Sequence, residues 1–335
     1  MEEYEPPFVE IYKNLFDTHE ALMNKNYNED VFDEVEELEL PMIDLSRLYR
    51  GGRESAKCKK EIAEASKEWG FFQVINHGVS LDILNKMRSE QMKVFKRPFF
   101  DKANNNGNLN FPAGSYRWGT PSATCLRQLA WSEAFHVPLT DISNMGGLTS
   151  LSTTMDQFAT MVSSLAENLA EILAEQLGHK SDFFKQNCLP STCYLRMNRY
   201  PPCPKYSQVF GLMPHTDSDF LTILHQDQIG GLQLVKDGKW IAVKPNKEAL
   251  IINIGDLFQA WSNDVYKSVE HRVVTNNQSE RFSTAYFFCP SYETMIQSCD
   301  ENPNYRRFSF KEFRQQVQDD VKKFGYKIGL PRFII

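Results

Sequence analysis

The feature that most narrows the fold of this chain is a succession of short β-forming runs in its second half, each closed by turn residues. Leu221–His225, Gly231–Val235, Trp240–Val243 and Ala249–Ile254 are punctuated by Ile229-Gly-Gly231, Asp237-Gly238 and Gly255-Asp256. Runs this short, at even spacing, point to an all-β sandwich or barrel. Upstream, alternation through Thr192–Tyr200 puts Tyr194, Arg196, Asn198 and Tyr200 on one face. Pro201-Pro202 then ends that strand, because proline has no N–H to give to a ladder.

Among these strands stands Gly211–Leu224, with His215 and Asp217 at its centre. Residues two apart on a strand point to the same side, so an imidazole and a carboxylate project together. His271, in the β-branched stretch Ser268–Val274, is a third candidate ligand. Two His and one carboxylate leave positions open on a divalent iron, the arrangement of non-haem Fe(II) oxygenases. The pair alone is a weak signal. Seven His and 43 acidic residues in 335 give roughly one His-x-Asp/Glu match by chance, and His225-Gln-Asp227 is a second. A polar strand end is the bland alternative for either.

Arg281-Phe-Ser283 adds to the pattern. Asn276–Glu280 before it reads as a turn, so that a hairpin would set Arg281 and Ser283 beside His271. Arg53-Glu-Ser55 and Arg307-Phe-Ser309 show that the triplet alone decides nothing. An inward guanidinium requires an anionic partner. Fe(II), Asp217, Arg281 and a dicarboxylate sum to zero charge, a set that can be buried together. 2-Oxoglutarate fits as that dicarboxylate.

Taken together, His215-x-Asp217, His271, Arg281-x-Ser283 and Asn198-Arg-Tyr-Pro-Pro-Cys-Pro204 resemble the plant soluble family of Fe(II)- and 2-oxoglutarate-dependent dioxygenases. The resemblance implies a mainly β core, a double-stranded β-helix (jelly roll) flanked by α-helices. It implies that His215, Asp217 and His271 hold Fe(II), that Arg281, Ser283 and Tyr200 anchor 2-oxoglutarate with Asn198 lining its site, that O2 is the other cosubstrate, and that ascorbate is the reductant.

Ahead of the core, Lys57–Trp69 and Leu81–Lys96 carry helical spacing, and Phe71–His77 returns as a strand between them. Leu40–Leu45 reads as the first strand and Ser46–Gly52 as a turn, so ordered structure is expected from near residue 40, after a solvated acidic stretch and at most one short helix. Asp101–Asn108 reads as a loop by composition. From Thr153 to Leu177, Met155, Phe158, Val162, Leu165, Leu169, Ile172 and Leu173 follow one helix face, a long scaffold helix packed on the sheet. His225 is placed at a hairpin end, away from Arg281. Ser309–Glu312 is a capping box opening a last helix. The divisions expected are a lead-in over 1–39, an N-terminal dioxygenase region over 40–150, the scaffold helix within 151–190, the jelly-roll core over 191–292 and a C-terminal helix and tail over 293–335.

The net charge of −6 argues against nucleic acid or anionic membrane as partner. Seven Cys without Cys-x-x-Cys spacing suggest neither a disulfide framework nor zinc, and no apolar run reaches membrane-spanning length, so a cytoplasmic chain is expected, with the nucleus not excluded. The partner is then a small molecule. Tyr116, Arg117 and Trp131, from an aromatic region with single arginines, are candidates for its pocket wall, with ordinary core as the alternative. Parity adds Phe287. Arg196, on the face of Asn198, is the candidate for a substrate carboxylate, with a surface salt bridge as the alternative.

A finer resemblance, from residue 6 onward, is to the gibberellin 2-beta-dioxygenases, closest to those acting on C20 gibberellins. It is carried by Pro6–Tyr12, Ser115–Thr124, Trp131–Pro138, Met197–Pro204 and Arg281–Ser291. It implies hydroxylation at carbon 2 of a gibberellin, which inactivates the hormone or its precursor. A gibberellin 20-oxidase, an auxin or flavonoid oxidase, or a jelly-roll protein that only binds its ligand are the alternatives.

Overall fold

Strand formation in the second half follows the sequence pattern closely. In the computed structural model, which describes residues 3–17, 35–104, 111–121, 123–145, 149–179, 182–205 and 208–335, the chain lays down thirteen main strands. They are β1 (Glu37–Leu38), β2 (Met42–Asp44), β3 (Phe71–Ile75), β4 (Tyr116–Trp118), β5 (Glu133–Pro138), β6 (Tyr194–Tyr200) and β7 (Phe210–His215). After these come β8 (Leu221–Gln226), β9 (Leu232–Lys236), β10 (Lys239–Val243), β11 (Leu250–Ile254), β12 (His271–Val274) and β13 (Arg281–Phe288).

Two sheets face each other as a jelly roll: a five-stranded sheet ordered β1-β10-β9-β12-β7 and an eight-stranded sheet ordered β2-β3-β11-β8-β13-β6-β5-β4. One apolar cluster between them gathers Phe71, Tyr200, Leu232, Leu234, Ile251 and Val273. The larger core lies on the other side of the eight-stranded sheet, under the helices. There the helix Thr149–Gln176 buries Leu151, Met155, Phe158, Val162, Leu165, Leu169, Ile172 and Leu173. Their i, i+3/i+4 spacing makes one continuous apolar stripe, which packs on β8 and β13 and on the helices Gly52–Glu68 and Leu81–Phe95.

Several expectations change. The stretch around His271 and Arg281 is no hairpin: β12 pairs with β7 and β9, whereas β13 pairs with β6 and β8 in the opposite sheet. His271 and Arg281 therefore approach across the barrel, not along one ladder. For the same reason His225 does not end a hairpin, since β8 and β9 belong to different sheets; its Nε2 meets the Lys247 carbonyl at 3.0 Å.

Order begins well before residue 40. Phe8–Ile11 forms a helical turn, and Phe8, Tyr12 and Phe16 are buried with Trp131 and Cys203, because the aromatics of this lead-in find an apolar groove to cover. Leu38 of the acidic stretch pairs with Val243 in parallel. The expected turn after β2 is a 3-10 helix, Leu45–Arg50, capped by Asp44, whose carboxylate accepts from the Ser46 N–H at 2.9 Å. Part of the expected loop at 101–108 is helical, Phe99–Asn104, and its remainder lies outside the described residues. The buried ammonium of Lys102 explains that turn of helix: it donates to the Phe95 and Tyr4 carbonyls and to Glu133 Oε2, each at 2.7–2.8 Å. The last helix, Phe310–Phe324, starts as expected, with Ser309 Oγ accepting from the Glu312 N–H at 3.1 Å.

Candidate active site

His215 ends β7 and His271 begins β12, and the antiparallel register sets the two directly opposite each other. Asp217 follows in the loop after β7. Ligand-capable atoms of the three all lie within 4.8 Å of one another. Each imidazole is oriented by a backbone carbonyl, His215 Nδ1 to Met213 O at 2.8 Å and His271 Nδ1 to Val269 O at 3.1 Å. A carbonyl only accepts, so Nδ1 carries the proton and the Nε2 lone pairs face the centre, the tautomer a metal requires.

Asp217 is fixed from behind: its Oδ2 accepts from Thr222 Oγ1 at 2.6 Å and Asn253 Nδ2 at 2.8 Å. Burial works against its charge, but the imidazoles of His271 and His215 and those two hydrogen bonds outweigh it and hold the carboxyl down at about 2. Burial, reinforced by His271, pushes His215 down to about 3, so its imidazole is neutral at physiological pH. A neutral imidazole and an ionised carboxylate are the forms that ligate.

The other end of the same cavity, of about 290 Å³, is built on β6 and β13, whose register pairs Tyr200 with Arg281 and Asn198 with Ser283. Arg281 is 2% exposed. Its Nη2 donates to Gln226 Oε1 at 2.8 Å, and its guanidinium lies 4.9 Å above the Tyr200 ring. Among the described residues its Nε and Nη1 are buried without a hydrogen-bond partner, as is Gln226 Nε2. Buried orphan donors on a cation are costly unless an anion meets them, so this end fits a carboxylate. Asn198 Nδ2 donates to Ser283 Oγ at 3.3 Å, and Gln91 Nε2 crosses from the helix Leu81–Phe95 to the carbonyls of Asn198 and Ser283, tying the two strands together. The donor set of two imidazoles and a carboxylate, facing a cation with free donors, fits Fe(II) and 2-oxoglutarate.

Arg196 and Phe287 also line the cavity, with Tyr194 stacked on Phe287 at 4.4 Å. Arg196 Nε donates to Asn198 Oδ1 at 2.9 Å, and among the described residues no carboxylate pairs with it. Tyr116, Arg117 and Trp131 are not part of the lining. Tyr116 sits in the row Phe135–Met197–Thr284, which faces the helices, and its hydroxyl donates to Glu133. Trp131 is buried against Phe8 at 4.5 Å, with its indole N–H on the Pro202 carbonyl. Arg117 shares the row of Asn198 but lies at the exposed sheet edge. Gln226, Asn253, Thr222 and Lys327 were not singled out in the sequence. Strand parity, which puts Thr222 and Leu224 on one face, was the signal available for Thr222; Lys327 carried none.

Two sequence-family models match: the 2OG-Fe(II) oxygenase superfamily over residues 191–290 and the N-terminal region of the non-haem dioxygenases in morphine synthesis over 40–146. The crystal structure of JOX2 in complex with 2OG, Fe and JA superposes with a TM-score of 0.73 at 30% identity, covering 88% of this chain and 92% of that one. The rice dioxygenase for auxin oxidation gives 0.73 at 26% identity over 89% of this chain and 100% of its own. The chain belongs to the 2-oxoglutarate- and Fe(II)-dependent oxygenases. Within them it is placed among the gibberellin 2-beta-dioxygenases. It is 64% identical to gibberellin 2-beta-dioxygenase 8 of Arabidopsis thaliana over 98% of both chains, and 52% identical to gibberellin 2-beta-dioxygenase 6 of Oryza sativa subsp. japonica over 89% of this chain and 85% of that one.

Proposed function

We propose that this enzyme hydroxylates gibberellins at the 2β position, with C20 precursors as its substrates, and so removes them from the active hormone pool. The observation that carries the chemistry is the single cavity in which His215, Asp217 and His271 face a buried arginine with two unused donors. The observation that carries the substrate is the 64% identity to a gibberellin 2-beta-dioxygenase along nearly the whole chain.

His215, Asp217 and His271 would hold Fe(II) on one side, leaving open the side that faces the cavity. When bound, the metal supplies oxygen activation coupled to decarboxylation of 2-oxoglutarate to succinate. Arg281 would take the distal carboxylate of 2-oxoglutarate through its guanidinium, Ser283 would offer its hydroxyl, and Tyr200 supports the guanidinium from below. Asn198 holds Ser283 and Arg196 in place. Arg196 meets the carboxylate of the substrate, and Tyr194, Leu224 and Phe287 cover its hydrocarbon skeleton and exclude water. Positioning is the main task of this wall, because a reacting carbon misplaced by about 1 Å can lose roughly a hundredfold in rate.

A cytoplasmic setting agrees with seven cysteines that are all free thiols, and with the absence of any helix among the described residues long and apolar enough to cross a membrane. The net charge of −6 fits small-molecule over nucleic-acid recognition. The test is product analysis by mass spectrometry with Fe(II), ascorbate, 2-oxoglutarate and parallel C20 and C19 gibberellins, following succinate. A 2-hydroxylated C20 product is expected. Succinate without a gibberellin product would discard the hormone as substrate.

A further inference from the structure

The chain beyond the last helix returns to the cavity. Gly325, left-handed at φ 83°, ends the helix Phe310–Phe324, and two residues later Lys327 lines the cavity wall. Its ammonium donates to the Thr216 carbonyl at 2.9 Å and to Ser218 Oγ at 2.8 Å, and lies 2.6 Å from Asp256 Oδ2. Thr216 and Ser218 are the two residues flanking Asp217. Asp256 continues the linkage: its N–H donates to the Asp217 carbonyl at 2.9 Å, and its Oδ1 accepts from Ser268 Oγ at 2.7 Å, three residues ahead of His271. Thr216 Oγ1 donates to its Oδ2 at 3.3 Å.

One carboxylate thus joins the segments that carry two of the three ligands, and one ammonium from the tail neutralises it. Both side chains are largely withdrawn from water, at 12% and 4% exposure, which strengthens their attraction. The loop 216–218 gains nothing from sheet pairing, because β7 ends at His215. Its conformation rests on Lys327, Asp256 and the bonds to Asp217 itself.

We propose that Lys327 is a positioning residue for the metal site, fastening the C-terminal tail over the Asp217 loop so that its carboxylate is presented to the ion in one geometry. This rests on the reading of His215, Asp217 and His271 as the metal ligands. Groups that orient ligands from outside change metal affinity by about tenfold to a hundredfold when removed, and the effect expected here lies in that range.

The experiment measures Mn(II) affinity by calorimetry and the visible spectrum of bound Co(II), with 2-oxoglutarate present, for the full-length wild type, Lys327→Met, the double variant Lys327→Met/Asp256→Asn, and Asp217→Ala. The double variant leaves no unpaired buried charge, so it serves where the single one does not fold. Both Lys327 variants are expected to bind Mn(II) about tenfold or more weakly and to shift the Co(II) bands, while Asp217→Ala binds no metal. Wild-type affinity and spectrum in Lys327→Met would overturn the inference, and so would full recovery in the double variant, which would trace the defect to the bare Asp256 charge. If Asp217→Ala binds Mn(II) like the wild type, the ligand assignment itself fails, a result separate from the other two.

Discussion

Arg281 is the residue whose surroundings say most about its use. Among the described residues its Nη2 has a partner in Gln226, while Nε and Nη1 are buried with none, and the side chain lines the cavity. Burying a guanidinium in that state is unfavourable until an anion arrives, so the cost is recovered on binding. Arg281→Gln is therefore expected to raise KM for 2-oxoglutarate by at least tenfold, a loss that a charged pair of this kind readily accounts for. An unchanged KM would remove Arg281 from the cosubstrate site. Arg196 poses a similar question at the substrate end. Arg196→Gln is expected to raise KM for a carboxylic acid substrate about tenfold or more while leaving 2-oxoglutarate binding within about twofold. Equal effects on both ligands would show that Arg196 acts only through its bond to Asn198.

At the scale of elements, β6 assigns its residues to two different tasks by alternation alone. Tyr194, Arg196, Asn198 and Tyr200 face the cavity, whereas Leu195 and Met197 enter the core under the scaffold helix and Arg199 forms buried ion pairs. The facing strand β7 has to come very close. A Cβ on Gly211 would stand 2.6 Å from Tyr200 Cδ1 and 3.2 Å from Val273 Cγ1, and neither the ring nor the β-branched side chain has room to yield freely. Gly211→Ala is thus expected to push Tyr200 from beneath Arg281 and raise KM for 2-oxoglutarate several-fold, with metal affinity within about twofold of wild type. Steady-state kinetics beside Mn(II) titration would check this, and wild-type KM would refute the close-approach argument.

At the scale of the whole molecule, a buried ionic group holds the lead-in to the barrel. Glu133 accepts from Lys102 at 2.7 Å and from Arg199 at 2.6 Å, and Arg199 reaches Glu280 at 2.8 Å and Glu5 of the N-terminal segment. Glu133→Gln leaves the buried Lys102 ammonium without its carboxylate, while Arg199 keeps Glu280 and Glu5, and a loss of about 3 to 5 kcal/mol is expected in denaturant unfolding. A change below about 1 kcal/mol, the range of surface pairs, would contradict that view. Acid sensitivity has a source in His136, whose ring lies tilted against that of Tyr194 at 4.1 Å. Burial first, then the nearby Arg196, Arg117 and Arg314, lower its pKa from 6.5 to about 4. The unfolded chain takes up this proton at higher pH than the folded one, so this group's contribution to stability is complete above about 6.5 and declines as pH falls toward 4. His136→Gln should flatten the pH dependence of the unfolding midpoint across that window; an unchanged slope would count against it.

The sequence by itself determined which residues can ligate and which faces they share. Asn198 and Tyr200, and Arg281 and Ser283, each lie two apart in strands, and a period of two follows from backbone geometry whatever the surroundings. Asp217, expected on one strand with His215, falls in the loop beyond β7, and its bonds to Thr222 and Asn253 fix its carboxylate instead. The helix face of Met155 to Leu173 was legible on the same ground, as a period fixed by local structure. Only the tertiary structure decided what lies opposite. That β12 and β13 enter different sheets, so that His271 and Arg281 meet across the barrel, depends on pairing between strands far apart in the chain, which no local period encodes. The same holds for Trp131 and Tyr116. Their composition suits a pocket wall as well as a core, and it is the docking of Phe8 and the Glu133 carboxylate that commits them to the interior. Lys327 is the plainest case: one lysine in a short, largely apolar tail carries no periodic signal, and its place against Asp256 arises only when the finished barrel offers a buried carboxylate that must be neutralised.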